Sequence, residues 1–144
     1  MRDRLTKERR SWNMSRIRGK NTAPEIEVRH ALHGMGYRFR LHGQKLPGRP
    51  DVVLARYRTV IFVHGCFWHQ HAGCKYCRLP KSNRRYWVNK LLGNHRRDEM
   101  HRRALRKLGW RVVVVWECET EQLRVLTKKI NRLAEQLRCK PLPK

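Results

Sequence analysis

Two runs of β-branched residues limit the possible folds of this chain more than any other feature of its sequence. Residues 59–63 (Thr-Val-Ile-Phe-Val) and 111–116 (Arg-Val-Val-Val-Val-Trp) are almost continuously apolar. Runs of this kind are typical of strands covered on both faces, so we expect both at the centre of a sheet. Residues 84–92 and 95–108, between the two runs, have the periodicity of helices. The pattern predicts an α/β protein with a central mixed β-sheet flanked by helices.

The rest of the chain contains elements of the same two kinds. Thr22-Ala23-Pro24-Glu25 has the composition of a capping box, and the apolar positions after it predict a helix that ends at Gly36. Strands are predicted at 37–41, about 51–55 and 58–63, and a last amphipathic helix at about 120–138. The predicted order of elements is α-β-β-β-α-α-β-α, within a single domain.

Charge limits the kind of partner that this chain can have. Its 144 residues include 35 Lys and Arg against 11 Asp and Glu, which gives a formal net charge of +24. Such a charge requires a polyanionic partner. Nucleic acid is favoured over a membrane, because no stretch approaches the roughly 18 apolar residues of a spanning helix. The first ten residues also lack the apolar region of a secretion signal, so we expect a cytoplasmic protein.

The amino-terminal segment is basic. Residues 1–20 have little apolar periodicity and predict an arm that contacts DNA and becomes ordered when phosphates neutralise it. Met14 is one of its few apolar anchors. Residues 21–140 are predicted to form the folded catalytic domain. We expect a monomer, although the scatter of charge along the chain does not decide the oligomeric state.

Cysteine and histidine residues predict a structural zinc site. Cys66, His71 and Cys74 lie within one short segment, and Cys118, just after the strand at 111–116, could complete a tetrahedral site with no open position. The odd number of cysteines and the neighbouring histidines favour a metal over disulfides. Cys77 forms a second Cys-x-x-Cys pair and is an alternative ligand to Cys74. The alternative to a metal site is a set of reduced, partly buried thiols.

An isolated acid precedes the second predicted strand. Asp51 lies between Pro50 and an apolar segment, and it could simply cap a turn. A hairpin with the strand at 58–63, however, would bring it close to His64 and to the backbone carbonyl of Val63. A carboxylate, a carbonyl and phosphate oxygens are suitable ligands for Mg²⁺. The sequence therefore predicts a catalytic magnesium site, with an imidazole to accept the proton of the attacking water.

Two histidines and a glutamate complete the predicted catalytic set. His64 and His69 are both candidates for the general base, and the sequence does not decide between them. Glu25 belongs to the capping box, which by itself indicates a structural role. The remaining histidines, His42 among them, are predicted to be surface or helix residues.

An adjacent aromatic pair lies inside the metal-binding segment. Phe67 and Trp68 are flanked by Cys66 and His69, which indicates a polar loop rather than a core position. When an aromatic ring inserts between base pairs, its stacking on the bases offsets the free energy needed to separate them. A mismatch lowers the free energy needed to open the duplex. We therefore interpret the pair as a DNA wedge. Trp87, on a basic predicted helix, is a second candidate for the wedge or a core residue.

These residues resemble, in the same order, those of the very-short-patch (Vsr) mismatch repair endonucleases. The resemblance extends almost from end to end and consists of several specific blocks. The blocks are Ser11 to Ser15, Thr22 and Glu25, Leu46 to Asp51, Val63 to His69, Tyr86-Trp87, Asn94, Arg97-Asp98, Gly109 to Val112, and Val115 to Cys118.

The resemblance implies a restriction-endonuclease-like fold and Mg²⁺-dependent hydrolysis 5′ of the thymine in a T·G mismatch. Such nicking would begin the repair of deaminated 5-methylcytosine in double-stranded DNA, here in a bacterial cytoplasm near the nucleoid. It implies catalytic roles for Asp51, His64, His69 and Glu25, with Asp51 and the Val63 carbonyl on the metal. It implies intercalation by Phe67, Trp68, Trp87 and Met14, and zinc ligation by Cys66, His71, Cys74 and Cys118.

Two positions depart from the best-known member of that family. Val63 replaces a threonine, so the backbone carbonyl is the ligand that this position can offer. Ala72-Gly73 changes the spacing from His71 to the next cysteine, so Cys74 and Cys77 both remain candidates. Two other functions fit the charge and the aromatic residues: a nuclease of the same fold with a different DNA target, and a zinc-stabilised module that binds DNA without cleaving it.

Overall fold

The computed structural model describes residues 6–9 and 21–139, with the side chain of the last residue excepted. Most of the predicted basic arm, including Met14, lies outside the described residues. Helix α1 spans Ala23–Gly34 and begins as the sequence predicts, because the Thr22 hydroxyl accepts a hydrogen bond from the Glu25 amide at 3.5 Å. Val28 and Leu32 are the buried apolar residues of this helix. The amphipathic spacing thus fixes α1 on one face of the sheet.

The four strands form one mixed sheet. Strand β1 is Arg40–Leu41, β2 is Val52–Leu54, β3 is Thr59–His64 and β4 is Arg111–Trp116. Their order is β1-β2-β3-β4, with antiparallel pairing up to β3 and parallel pairing between β3 and β4. A single 3-10 turn at Ala55–Tyr57 joins β2 to β3. This arrangement confirms the predicted mixed α/β fold with a sheet flanked by helices.

The prediction that both apolar runs lie at the centre of the sheet is wrong for the second one. Strand β3 is central and almost wholly buried, whereas β4 is an edge strand of the sheet formed by the described residues, and most of it is half-buried. Helix cover on both sides makes an edge strand as apolar as a central one. The run of valines therefore indicates that both faces of the strand are covered. It does not indicate where the strand lies within the sheet.

Helix α2 spans Arg84–Lys107 without a break, where the sequence predicts two helices. Gly93 lies in the gap between the two predicted helices, but one glycine costs a helix interior only about 1 kcal/mol. Leu91 and Leu105 are buried on either side of it. Tertiary contacts along the whole helix thus outweigh the local cost of Gly93.

The chain ends in two helices instead of the single predicted one. Helix α3, Glu117–Thr120, is one turn long and follows β4 directly, and α4 spans Leu123–Cys139. Cys118 therefore lies in a helical turn. Helices α1 and α4 pack on one face of the sheet around Val52, Leu54, Ile61 and Val115. On the other face, Leu105 of α2 packs against Val53, Val60 and Phe62.

In the part of the chain that the structure describes, no helix is both long enough and apolar enough to cross a membrane.

Candidate active site

The hairpin of β2 and β3 brings Asp51 to the end of β3. Val52 pairs with Ile61, and one step further along, the backbone amide of Val63 donates a hydrogen bond of 2.7 Å to Asp51 Oδ2. The predicted proximity of Asp51 to Val63 and His64 follows from this register. Burial raises the pKa of Asp51 to about 6, with a contribution from the charge of Glu25, although the hydrogen bond from Val63 acts in the opposite direction. Nearby positive charge would favour the ionised carboxylate.

Glu25 is buried beside Asp51 although it belongs to the helix cap. It is 3% exposed, and its Oε2 accepts hydrogen bonds from the Asn21 amide at 3.0 Å and from Arg29 Nη2 at 3.1 Å. Donor atoms of Glu25, Asp51 and His42 lie within 4.8 Å of one another. Two carboxylates and an imidazole in such a group are suitable ligands for a divalent cation.

His64, His69 and Asp98 form a second group next to the first. The imidazole rings of His64 and His69 stack with centroids 3.9 Å apart and an interplanar angle of 6°. Nδ1 of His69 lies 2.6 Å from Oδ2 of Asp98, which is on α2. Burial acts to raise the pKa of Asp98, but the hydrogen bond and charge of His69 outweigh it, so this pKa lies below its usual range. Asp98 is therefore a carboxylate that accepts a hydrogen bond from Nδ1–H.

His64 is held in its neutral form. Burial, followed by the charge of His69, lowers the pKa of His64 to about 3. At neutral pH its ring has one nitrogen that donates and one that accepts a hydrogen bond. It can therefore contact a phosphate or a water molecule without adding a charge to the site.

Glu25 and Asp51 of the first group line one cavity of about 650 Å³ together with the whole second group. Val63, Trp68 and Lys90 lie in its wall as well. At Gly48, where φ is +74°, a Cβ would come within 2.8 Å of the His101 side chain. The loop before Asp51 thus packs closely against α2 and closes this side of the cavity. The cavity contains acidic groups and imidazoles in a protein whose surface is strongly basic, which suits the binding of a metal ion and a phosphate.

The four predicted zinc ligands converge. Donor atoms of Cys66, His71, Cys74 and Cys118 lie within 4.8 Å of one another. His71 Nδ1 is 3.6 Å from Cys66 Sγ and 3.4 Å from Cys118 Sγ. A tetrahedral zinc ion would hold a sulfur and a nitrogen ligand about 3.5 Å apart, given its usual bond lengths. The residues therefore fit a closed metal site.

Cys77 does not belong to this group. Its thiol donates hydrogen bonds to the backbone carbonyls of Cys66 at 2.9 Å and His71 at 2.8 Å. Burial, with a contribution from the neighbouring thiols, raises the pKa of Cys66 to about 12. A bound dication would reverse that effect, because coordinated thiols lose their protons. Of the two alternatives that the sequence left open, the structure places Cys74 with the other three ligands.

The aromatic residues form a cluster that reaches the cavity through Trp68. The ring centroids of Phe67 and Trp68 are 5.2 Å apart, and Trp87 lies 5.5 Å and 5.9 Å from them. All three side chains are half-buried, so none is sealed in the core. Asn94 of α2 donates a hydrogen bond of 3.1 Å to the Trp68 carbonyl. The cluster thus presents partly open aromatic faces beside the acidic and imidazole groups.

Sequence reasoning missed two members of the site. Asp98 was noticed only as part of a family block, and His42 was assigned to the surface. Neither is close in sequence to the residues that it contacts. The scarcity of acids, 11 in a chain with 35 basic residues, was the signal that could have drawn attention to Asp98.

Comparison with known proteins identifies the family. The family model described as DNA mismatch endonuclease Vsr matches residues 2–75, slightly more than half of the chain. The chain belongs to the Vsr DNA mismatch endonuclease family. This membership confirms the resemblance found in the sequence motifs.

Full-length relatives agree with this assignment to the Vsr family. The chain is 50% identical over 135 residues to type II nicking enzyme V.XorIIP of Xanthomonas oryzae pv. oryzae, covering 94% of this chain and 98% of the relative. It is 40% identical over 138 residues to type II nicking enzyme V.NmeAIP of Neisseria meningitidis serogroup A, covering 96% and 98%. It is 44% identical over 118 residues to DNA mismatch endonuclease Vsr of Escherichia coli K12, covering 82% and 75%. Two of these relatives are named as nicking enzymes and one as a DNA mismatch endonuclease. The chain is a member of a DNA endonuclease family.

Proposed function

We propose that this protein nicks double-stranded DNA on the 5′ side of the thymine in T·G mismatches that arise from deaminated 5-methylcytosine. The observation that carries the proposal is one cavity lined by Asp51, Glu25, His64, His69 and Asp98, with Trp68 of the aromatic cluster in its wall. The choice of T·G rests on the family resemblance, in which a relative is named a mismatch endonuclease. The charge of +24 supplies the attraction for the duplex.

Asp51 and the Val63 carbonyl are the proposed ligands of a catalytic divalent ion, and Mg²⁺ is the ion that the family resemblance implies. When bound, such an ion would polarise the scissile phosphate and neutralise the charge that develops in the transition state. Glu25 adds a second carboxylate beside Asp51 and is fixed there by Arg29. The two buried carboxylates therefore supply the negative charge that such a site requires.

His69 is the proposed general base. Asp98 accepts the hydrogen bond from Nδ1–H, which leaves the lone pair on Nε2 available for the proton of an attacking water molecule. Asp98 also stabilises the imidazolium that forms when the proton is taken. His64, neutral and stacked on His69, is proposed to orient the phosphate or the water molecule by hydrogen bonding.

Phe67, Trp68 and Trp87 are proposed to enter the base stack next to the scissile phosphate. Trp68 lines the same cavity as the catalytic groups, so insertion of the cluster would position the phosphate near Asp51. Zinc bound by Cys66, His71, Cys74 and Cys118 would fix the segment that carries Phe67, Trp68 and His69. Met14 is proposed to enter from the opposite groove.

The test is a nicking assay on duplexes of equal sequence that contain T·G, T·A or another mismatch, with Mg²⁺ present. We expect a single-strand nick 5′ of the thymine only in the T·G duplex. We expect Asp51→Ala to lose nicking while it retains mismatch binding. Equal nicking of the T·A duplex would instead favour a nuclease with another target, and binding without nicking under any divalent ion would favour the non-catalytic module.

A further inference from the structure

The group formed by Glu25, His42 and Asp51 contains a nitrogen ligand that the proposed magnesium chemistry does not use. Its three donor atoms lie within 4.8 Å of one another. An ion with bonds of about 2.0–2.2 Å holds its ligands at most about 4.4 Å apart, so shifts of a few tenths of an ångström would bring all three into contact with one ion.

The backbone places His42 beside Asp51. The His42 amide donates a hydrogen bond of 3.1 Å to the Asp51 carbonyl, next to the pairing of Leu41 with Val52. His42 has a φ of +50°, in the left-handed region that few residues other than glycine adopt. At this bend the strand pairing between β1 and β2 ends. The imidazole, half-buried, is thereby held close to the acidic pair.

The Arg29 guanidinium lies between two of the three donor atoms, those of Glu25 and His42. Its Nη2 donates to Glu25 Oε2 at 3.1 Å and lies 3.4 Å from His42 Nε2, so the guanidinium requires a lone pair on that imidazole nitrogen. Its Nη1 donates to Asn21 Oδ1 at 2.9 Å, while its buried Nε has no hydrogen-bond partner among the described residues. A positive group therefore already lies between Glu25 and His42, where a metal ion would compete with it.

We propose that Glu25, His42 and Asp51 form a mixed oxygen and nitrogen site that prefers a first-row transition-metal ion such as Mn²⁺ to Mg²⁺, with His42 as the residue that sets the preference. The proposal deepens the proposed function, on which its catalytic meaning rests. Mg²⁺ is bound through oxygen and keeps most of its water, so an imidazole adds little to its affinity. Transition-metal ions accept imidazole nitrogen as a ligand.

The test measures metal binding directly in zinc-loaded protein. Titration with Mn²⁺, followed by the electron paramagnetic resonance of the free ion, gives the affinity, and competition with Mg²⁺ gives the preference. His42→Asn tolerates the left-handed backbone but removes the nitrogen ligand. We expect it to weaken Mn²⁺ binding at least about tenfold, as the loss of even an indirect metal partner does, and to change Mg²⁺ binding much less.

Spectroscopy and a matched control separate ligation from a structural effect. Pulsed resonance of bound Mn²⁺ should show coupling to an imidazole nitrogen in the wild type that His42→Asn loses. His30→Asn, an exposed histidine on α1, should keep both the coupling and the affinity. Unchanged Mn²⁺ affinity and coupling in His42→Asn would overturn the proposal.

A second variant keeps the proposal testable if His42→Asn does not fold. Arg29→Met removes the competing positive charge and should raise Mn²⁺ affinity severalfold; unchanged or weaker binding would contradict the site.

Nicking of the T·G duplex is scored separately. Nicking with Mn²⁺ binding that does not depend on His42 would refute this site but not the proposed function. Binding that depends on His42, without nicking in any metal, would support the site and refute the function.

Discussion

Asp98 shows how one residue can decide the chemistry of another. The Nδ1 atom of His69 is 2.6 Å from the Asp98 carboxylate, so one tautomer of the ring is fixed and Nε2 is left as the acceptor. His64 stacks against the same ring and is kept neutral by its burial. The roles of the two histidines are therefore separated by their surroundings, although the residue type is the same.

This separation predicts the effect of Asp98→Asn. The amide no longer stabilises the imidazolium or selects the tautomer, so kcat for nicking should fall about 10- to 100-fold, while KM changes less than about twofold. Steady-state nicking of a T·G duplex measures both constants.

Glu99→Gln is the matched control for Asp98→Asn. Glu99 is the next residue of α2, and its carboxylate pairs with Arg102 and Arg103 instead of with His69. Its variant should have wild-type kinetics. A rise in KM with an unchanged kcat in Asp98→Asn would show that Asp98 acts in DNA binding and not on His69.

The segment between β3 and α2 brings candidate catalytic, aromatic and metal-binding residues together in a short stretch of chain. It follows directly from the strand that carries Val63 and His64, it contains Phe67 and Trp68, and three of the four clustered metal ligands lie in it. It has little regular structure of its own. The contacts with α2 hold it in place, and a metal bound by the clustered cysteine and histidine side chains would fix it further.

Loss of the metal should for this reason abolish nicking even in excess Mg²⁺. Removal of zinc with a chelator, followed by assays of nicking and of bound zinc, tests the prediction. Cys74→Ser should lose the metal, whereas Cys77→Ser should keep both metal and activity, because the Cys77 thiol only contacts backbone carbonyls. Full activity in a zinc-free, correctly folded preparation would contradict the prediction.

The aromatic cluster leads to a prediction about Trp87. Stacking on a base contributes about 1–3 kcal/mol, so Trp87→Ala should weaken binding of a T·G duplex by about 5- to 150-fold. Trp87→Phe keeps an aromatic face and should lose much less. Fluorescence anisotropy with labelled T·G and T·A duplexes measures the change. An equal loss on both duplexes would indicate a general DNA contact instead of insertion at the mismatch.

At the scale of the whole molecule, electrostatics should dominate the affinity for DNA. The formal charge of +24 favours many phosphate contacts. Each neutralised phosphate releases counterions and contributes about −0.9 to the log–log slope of affinity against salt.

Six or more phosphate contacts would therefore cost about 10³-fold or more in affinity between 50 and 200 mM salt. Binding titrations at several salt concentrations measure the slope. Trp87→Ala and Trp87→Phe should lower the plot of log affinity against log salt concentration without changing its slope, since they remove no charge. An affinity that does not depend on salt would contradict the electrostatic prediction.

The sequence predicted contacts between residues that are close together in the chain, but not contacts that depend on the packing of distant elements. The approach of Asp51 to Val63 followed from a short hairpin. The grouping of the candidate metal ligands followed from their spacing, except that the spacing did not decide between Cys74 and Cys77. Asp98 and His42 reach the site only through the packing of α2 and the bend after β1, which no local pattern reports. Helix α2 was predicted as two pieces because the propensity of Gly93 is visible in the sequence, while the burial of Leu91 and Leu105 is not.

The unbroken α2 helix has a mechanical consequence. Trp87, Asn94 and Asp98 recur at intervals of about two and three turns, so they share one side of a stiff rod, with Trp87 about 16 Å from Asp98 along its axis. The rod links the ring that would sense a distorted duplex to the carboxylate that aligns His69. Under the proposed roles of Trp87 and His69, a displacement of one end of α2 by a poorly seated duplex would displace Asp98 as well. We therefore expect an incorrect duplex to be nicked slowly even after it has bound.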